Sequence, residues 1–345
     1  MSRVHVGIVG LGRMGRFHAE NLAGRVRAAE LVRVVDEVED TARGVGDKLG
    51  VEWSSSFKDL LDDPEIEAVV IATPTPLHAD MIRQAAQSGK HIFCEKPVSF
   101  ELDPTVQAIE ATRAAGVKLQ MGFHRRFDPD WTAAVDRIKK GDLGDVYLFR
   151  TSLRDMRPPN IDYIKSSGGF FIDVTIHDFD TARWMVGEID EVTSFGSTVA
   201  DPAIAETGDI DTALICLRFD SGALGVIDNS RVAGYGYECS TEVMGSKATA
   251  RIGHHRRAHL QWLTPGQAAE DWVKDFTERY PDAYRLELED FVVGIREERP
   301  VAVTGEDALA AFVLCQAAAE SFREGRTVKL THRERDGQVL YEAVR

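Results

Sequence analysis

The stretch Val4-His5-Val6-Gly7-Ile8-Val9-Gly10-Leu11-Gly12-Arg13-Met14-Gly15 decides how the rest of the chain is read. A run of strand character leads into glycines spaced G-x-G-x-x-G, and a helix-like segment continues through Leu22. Strand, glycine turn and helix in that order are the context a dinucleotide-binding turn requires. Gly10 permits the tight turn, Gly12 lets the backbone approach a pyrophosphate, and Gly15 allows close helix packing. The helix N-terminus, with Arg13 and Met14 in its first positions, attracts the phosphate charge. Glycines alone also mark ordinary loops, so the flanking elements carry this reading.

Asp36 ends the next apolar strand, 21 residues after Gly15, where a carboxylate would hydrogen-bond a ribose 2′-hydroxyl. Glu37 follows it and no Arg stands immediately beside the pair, so a 2′-phosphate would meet two negative groups. NAD is therefore expected rather than NADP. The competing reading is that Asp36 merely caps the following helix.

Outward from this turn, short apolar runs alternate with amphipathic stretches to about Gln120, the pattern of a parallel sheet wrapped by helices. Candidate strands are Val4 to Val9, Leu31 to Val35, Ala68 to Ile71, His91 to Phe93 and Val117 to Met121. After a helix from Asp130 to Lys139 the texture changes to longer strands: Val146 to Leu153, Thr212 to Phe219, Leu224 to Ser230, Tyr237 to Met244 and Ala248 to Ile252. Turn-like breaks at Asp220-Ser221-Gly222 and Gly245-Ser246-Lys247 favour hairpins. The expected fold is thus an α/β doubly wound Rossmann domain (1–122) followed by an α+β domain (123–345) with a large, mainly antiparallel open sheet. Helices at Ile172 to Met185, Ala283 to Glu297 and Glu306 to Arg323 should cover one face of the second sheet. The other face would then meet a second subunit, predicting a homo-oligomer.

The 345 residues, 43% hydrophobic and 28% charged, suit two globular domains. A formal net charge of -15 repels phosphate backbones, which argues against a nucleic-acid partner. The strongest basic run, His254 to Arg257, reads as a solvated turn or strand end. The N-terminus carries neither a long apolar segment nor a cleavage site, so no membrane partner and a cytoplasmic location are expected. Cys94, Cys216, Cys239 and Cys315 are too scattered for a metal knuckle or a disulfide framework, and should be buried free thiols.

Oxidation of an alcohol by hydride transfer also needs a group to take the hydroxyl proton. Cys94-Glu95-Lys96-Pro97 follows the fourth strand and places Lys96 at the carboxyl edge of the sheet, where open α/β folds bind ligands. Pro97 restricts Lys96 to extended conformations and allows a cis bond. In Asp173-Val174-Thr175-Ile176-His177-Asp178-Phe179-Asp180, helical spacing puts Asp173, His177 and Asp180 on one face. The carboxylates can orient an imidazole that takes a proton near neutral pH, so His177 is the best base. Structurally, Asp173 could instead cap the helix above a packed His177. No second His, Cys or Glu completes a zinc set, and no metal is expected.

Together these features resemble the Gfo/Idh/MocA oxidoreductase family across essentially the whole chain. The resemblance rests on the glycine turn with Asp36, Ala72-Thr73-Pro74-Thr75-Pro76-Leu77-His78, Glu95-Lys96-Pro97, Gly122-Phe123-His124-Arg125-Arg126-Phe127-Asp128, and the 173–180 segment. Within the family it is most similar to bacterial inositol 2-dehydrogenases, through Asp162-Tyr163-Ile164-Lys165-Ser166-Ser167-Gly168-Gly169, the 175–180 segment and Tyr235-Gly236-Tyr237. The resemblance implies NAD-dependent oxidation of myo-inositol to its 2-keto form, with His177 as base and Lys96 and Asp173 as polar partners. Arg125, Asp180 and Tyr235 would line the polyol pocket. Thr73, Pro74, His78 and Glu95 would join the cofactor site, and the oligomer would be a tetramer. The chain departs from the pattern at Leu153-Arg154-Asp155, where some inositol dehydrogenases have a substrate-contacting His, and at Val174, where they have Thr. Scyllo-inositol or a pyranose is therefore the alternative substrate. A non-catalytic NAD-binding regulator is the alternative of a different class, opposed by Lys96, Asp173 and His177.

Overall fold

The computed structural model describes residues 3–253, 256–335 and 338–344. His254 and His255, from the basic run read above as solvated, lie outside the described residues. The chain forms two compact units, Met1–Asp128 with Asp282–Leu309, and Pro129–Pro281 with Ala310–Arg345.

In the first unit, β1 (Val4–Val9), β2 (Ala29–Val35), β3 (Glu52–Ser54), β4 (Ala68–Ile71), β5 (His91–Cys94) and β6 (Leu119–Met121) form one sheet. All its pairs are parallel and the order is β3-β2-β1-β4-β5-β6. That order reverses between β1 and β4, the switch point beyond whose carboxyl ends doubly wound sheets bind dinucleotides. Covered on both faces, the strands read as unbroken apolar runs rather than alternating ones: Ala68, Val69, Val70 and Ile71 are all fully buried. The short β3 has no such run and gave no signal in the sequence.

The helix Pro281–Arg296 was expected to cover the second sheet, but it belongs to this unit. Its Leu288, Phe291 and Val292 pack into the same core as Val6, Ile8, Val70 and Phe93. Each such burial stabilises by roughly 1.5–3 kcal/mol. Gln120 Nε2 donates to the Glu287 carbonyl at 2.8 Å, and Met121 N–H to the Val303 carbonyl at 3.1 Å, fixing the segment to the edge strand β6. The amphipathic spacing of this helix was legible; which sheet it buries against was not.

The second unit contains β7 (Val146–Arg154), β8 (Ile189–Ser197), β9 (Thr212–Phe219), β10 (Leu224–Ser230), β11 (Glu238–Gly245) and β12 (Thr249–Ile252). A separate hairpin pairs β13 (Arg256–Thr264) with β14 (Gln267–Trp272), and β15 (Val328–Arg335) with β16 (Gln338–Val344) closes the main sheet. The main order is β12-β11-β7-β10-β9-β8-β15-β16, antiparallel except for the β7·β10 pair. Both expected hairpins form, with Gly222 at φ +85° in the first turn.

Alternation along β9 separates the faces: Ala213, Ile215, Leu217 and Phe219 are buried, while Leu214 is 45% exposed. Cys216 follows that outward parity and is exposed, which corrects the expectation that all four thiols are buried; the other three are. The buried face is covered by the 171–185 segment and by the helix Gly305–Glu324, whose Ser321 Oγ accepts from Ser194 N–H at 2.9 Å. The 171–185 segment is not one regular helix: Phe171–Thr175 is a π-helical turn that runs into the α-helix Ile176–Met185. That wider turn changes the azimuth of Asp173 from simple i, i+4 spacing, as π-bulges near functional sites often do.

Candidate active site

The glycine turn has the geometry its sequence demands. Gly10 sits at φ +87°, and a Cβ there would lie 2.6 Å from the Thr73 backbone nitrogen beyond β4. A Cβ on Gly15 would lie 1.7 Å from the Gly10 carbonyl oxygen. Gly12 faces open space: among the described residues, its chain neighbours aside, none comes within 4 Å of its ideal Cβ, as a backbone that receives a ligand requires. The helix Arg13–Gly24 starts there with no side-chain cap and no acidic residue in its first turn. Its N-terminal amides and positive dipole end remain available to a pyrophosphate.

Asp36 is bound into this turn. Its Oδ2 accepts the Leu11 N–H at 2.7 Å and its Oδ1 accepts the Val38 N–H at 2.9 Å. It does not cap the next helix: that helix, Glu39–Leu49, begins after Val38 without a side-chain cap. The carboxylate thus tethers the end of β2 to the glycine turn while keeping lone pairs for a ribose hydroxyl. The residues fit the sugar and phosphates of NAD.

Beyond β4 and β5 the loops are locked together by His78. This buried imidazole reaches the Pro97 carbonyl from Nδ1 at 2.8 Å and the Thr73 carbonyl from Nε2 at 2.7 Å. Burial pulls its pKa below the ordinary histidine value, against the pull of those two carbonyls. Pro74 is exposed at the start of the Thr75–Leu77 turn. The Lys96–Pro97 bond is cis, and Lys96 is half-buried beside it.

Glu95 pairs with the buried His18, Nε2 to Oε1, at 2.7 Å. Burial alone would raise Glu95, but the His18 hydrogen bond and the charges of His18, Lys96 and His78 together outweigh it and hold the carboxyl below its ordinary value. Glu287 lies close by, fully buried, with one carboxyl oxygen within 4.8 Å of ligand atoms of His18 and Glu95. Burial, reinforced by the Glu95 charge, pushes the Glu287 carboxyl well above the carboxylate range. Arg125, read as a substrate contact, is 2% exposed in this unit, in the turn His124–Phe127.

The remaining candidates lie in the second unit. Asp173 is in the π turn; His177 and Asp180 are on the following helix, the first partly and the second fully buried. Oδ1 of Asp173 accepts from the Tyr163 hydroxyl at 2.9 Å and Oδ2 from Arg231 Nη1 at 2.8 Å. Arg231 was missed by the sequence reading because it is 58 residues away and has no motif around it.

Asp178, also passed over, is fully buried and anchors the helix to the sheet. It accepts from Asn229 Nδ2 at 3.0 Å and Thr151 Oγ1 at 3.2 Å, while Thr175 Oγ1 donates to Asn229 Oδ1 at 2.9 Å. Such a satisfied buried network fixes the rotation of the helix that presents His177. Tyr235 is 49% exposed, its hydroxyl bonded to Glu238 and to Arg154 Nη1. Arg154 also grips Asp228 through Nε at 3.1 Å and through Nη2 at 2.5 Å.

Comparison with known proteins places these features in context. Residues 4–123 match the family model described as "Oxidoreductase family, NAD-binding Rossmann fold", and residues 135–330 match its "C-terminal alpha/beta domain". A myo-inositol 2-dehydrogenase of Thermotoga maritima is 42% identical over 95% of this chain and 98% of its own length. A scyllo-inositol 2-dehydrogenase (NAD(+)) of Bacillus subtilis is 40% identical over 95% of this chain and 96% of its own. The structure of scyllo-inositol dehydrogenase from Lactobacillus casei, with bound NAD(H) and scyllo-inositol, superposes with a TM-score of 0.90 at 30% identity, covering 95% and 99% of the two chains.

Proposed function

Because this chain belongs to the Gfo/Idh/MocA family of NAD-binding oxidoreductases, we propose that it oxidises a ring hydroxyl of an inositol, myo-inositol at C2 giving scyllo-inosose. The observation that carries this reading is the near full-length match, second unit included, to relatives named for myo- and scyllo-inositol. The residues support it chemically. A polyol presents many hydroxyls, and Lys96, Arg125, Asp173, His177, Asp180 and Tyr235 offer both donors and acceptors to them.

NAD, which the glycine turn Gly10–Gly15 and Asp36 would hold, would supply the hydride acceptor for the carbinol carbon. His177 takes the hydroxyl proton as the carbonyl forms, so the substrate loses a hydride and a proton and becomes the ketone. Lys96 and Asp173 orient the reacting hydroxyl, the ammonium stabilising charge that develops on oxygen. Asp36 and Glu37 favour NAD over NADP by opposing a 2′-phosphate.

Scyllo-inositol is the second reading, supported by the comparable 40% identity to the relative named for that epimer and by the scyllo-inositol-bound structural neighbour. Steady-state assays with myo-inositol, scyllo-inositol, glucose and related pyranoses, each with NAD and NADP, test both readings. Turnover of pyranoses alone would overturn the inositol assignment, and turnover of none would favour a non-catalytic regulator.

We also infer self-association through the open sheet face of the second unit. Phe195 and Leu214 pair across β8 and β9 there and are 64% and 45% exposed, with Leu224 of β10 at 48%. An apolar cluster on an open sheet suits a symmetric interface. A tetramer is the expected assembly.

A further inference from the structure

The candidate site includes a charged device that no spacing rule announces. Arg231 is 1% exposed, its guanidinium 5.4 Å above the Phe170 ring. One arm donates to Asp173 Oδ2 at 2.8 Å and the other reaches Asp209 Oδ2 at 3.5 Å. Asp209 is itself fixed, its Oδ1 accepting the Phe170 N–H at 3.0 Å. A buried guanidinium is a rigid plane with donors in fixed directions, so it sets the plane of any carboxylate it grips. The Tyr163 hydroxyl holds the other Asp173 oxygen at 2.9 Å.

We propose that Arg231 and Tyr163 are positioning residues for the oxidation: together they fix the Asp173 carboxylate, with Asp209 balancing the buried positive charge. This rests on the reading that Asp173 serves polyol oxidation. Four neighbouring segments meet in the device: the short helix Ile161–Ser166, the π turn, the loop before β9 and the residue after β10.

The test is steady-state kinetics of Tyr163→Phe, Arg231→Met, Arg231→Lys and Asp209→Asn, with thermal melts of each. Tyr163 is 47% exposed, so Tyr163→Phe removes a hydroxyl without emptying the core and remains informative if Arg231→Met does not fold. Loss of one charge-assisted hydrogen bond should lower kcat for the polyol about tenfold in Tyr163→Phe and more in Arg231→Met. KM for NAD should stay unchanged. Arg231→Lys should recover part of the loss, and Asp209→Asn should cost less than either. Tyr163→Phe within twofold of wild type, or Arg231→Lys no better than Arg231→Met, overturns the proposal. A wild-type protein that turns over no polyol removes the functional reading itself.

Discussion

Under the proposed function, single residues divide into those that hold cofactor, those that move protons and those that hold the others still. Asp36 has two amides to satisfy already, and its remaining capacity should select the ribose. Asp36→Ala is expected to raise kcat/KM with NADP relative to NAD by about tenfold, the worth of one hydrogen bond to a charged group. His177→Ala should lower kcat by about 10²–10⁴ and Lys96→Ala by a comparable factor, with NAD affinity by fluorescence titration nearly unchanged. Turnover surviving both substitutions would sink the assignment. The glycine turn and Asp36 were legible because backbone geometry imposes a local spacing on them. Arg231 and Asp178 were not, because their partners stand far along the chain and only tertiary packing brings them together.

Elements carry constraints that no side chain shows alone. The approach of Gly15 to the Gly10 carbonyl leaves no room for a methyl group, so Gly15→Ala must shift the first turn of the helix. A loss on the order of 1–3 kcal/mol in urea unfolding, and weaker NAD binding, are expected. The helix Pro281–Arg296 carries a second constraint, the buried Glu287. Its carboxyl keeps a proton in the folded state that the unfolded chain, ordinary for a carboxyl at 4.5, has released. As pH rises above the ordinary carboxyl range stability must fall, since the native state binds more protons. Glu287→Gln removes the slope: its stability relative to wild type should grow as pH is raised above about 5 in urea titrations. A constant difference would show that Glu287 does not titrate in this way. The periodicity of that helix was readable, whereas its destination depended on a core assembled from strands nearly the whole chain away.

At the scale of the molecule, the sequence texture gave the change from parallel to mainly antiparallel sheet, because the strand runs, hairpin turns and alternation all change near residue 130. Strands such as β3, β8 and the β13–β16 hairpins were harder to see, being short or lacking a clean apolar pattern. The exposed Phe195 and Leu214 predict that light scattering finds an oligomer, and that a Phe195→Glu, Leu214→Glu double variant lowers its mass. A monomeric wild type would remove the inference. The first unit, moreover, is interrupted: its chain leaves after Asp128 and returns at Asp282 with Leu288, Phe291 and Val292 for the core. On the ribosome, the dinucleotide-binding half is made first yet cannot be finished until more than 150 further residues have emerged. A nascent chain stalled after Asp128 would therefore expose an unfilled apolar surface and need chaperone protection until Asp282–Leu309 has been made.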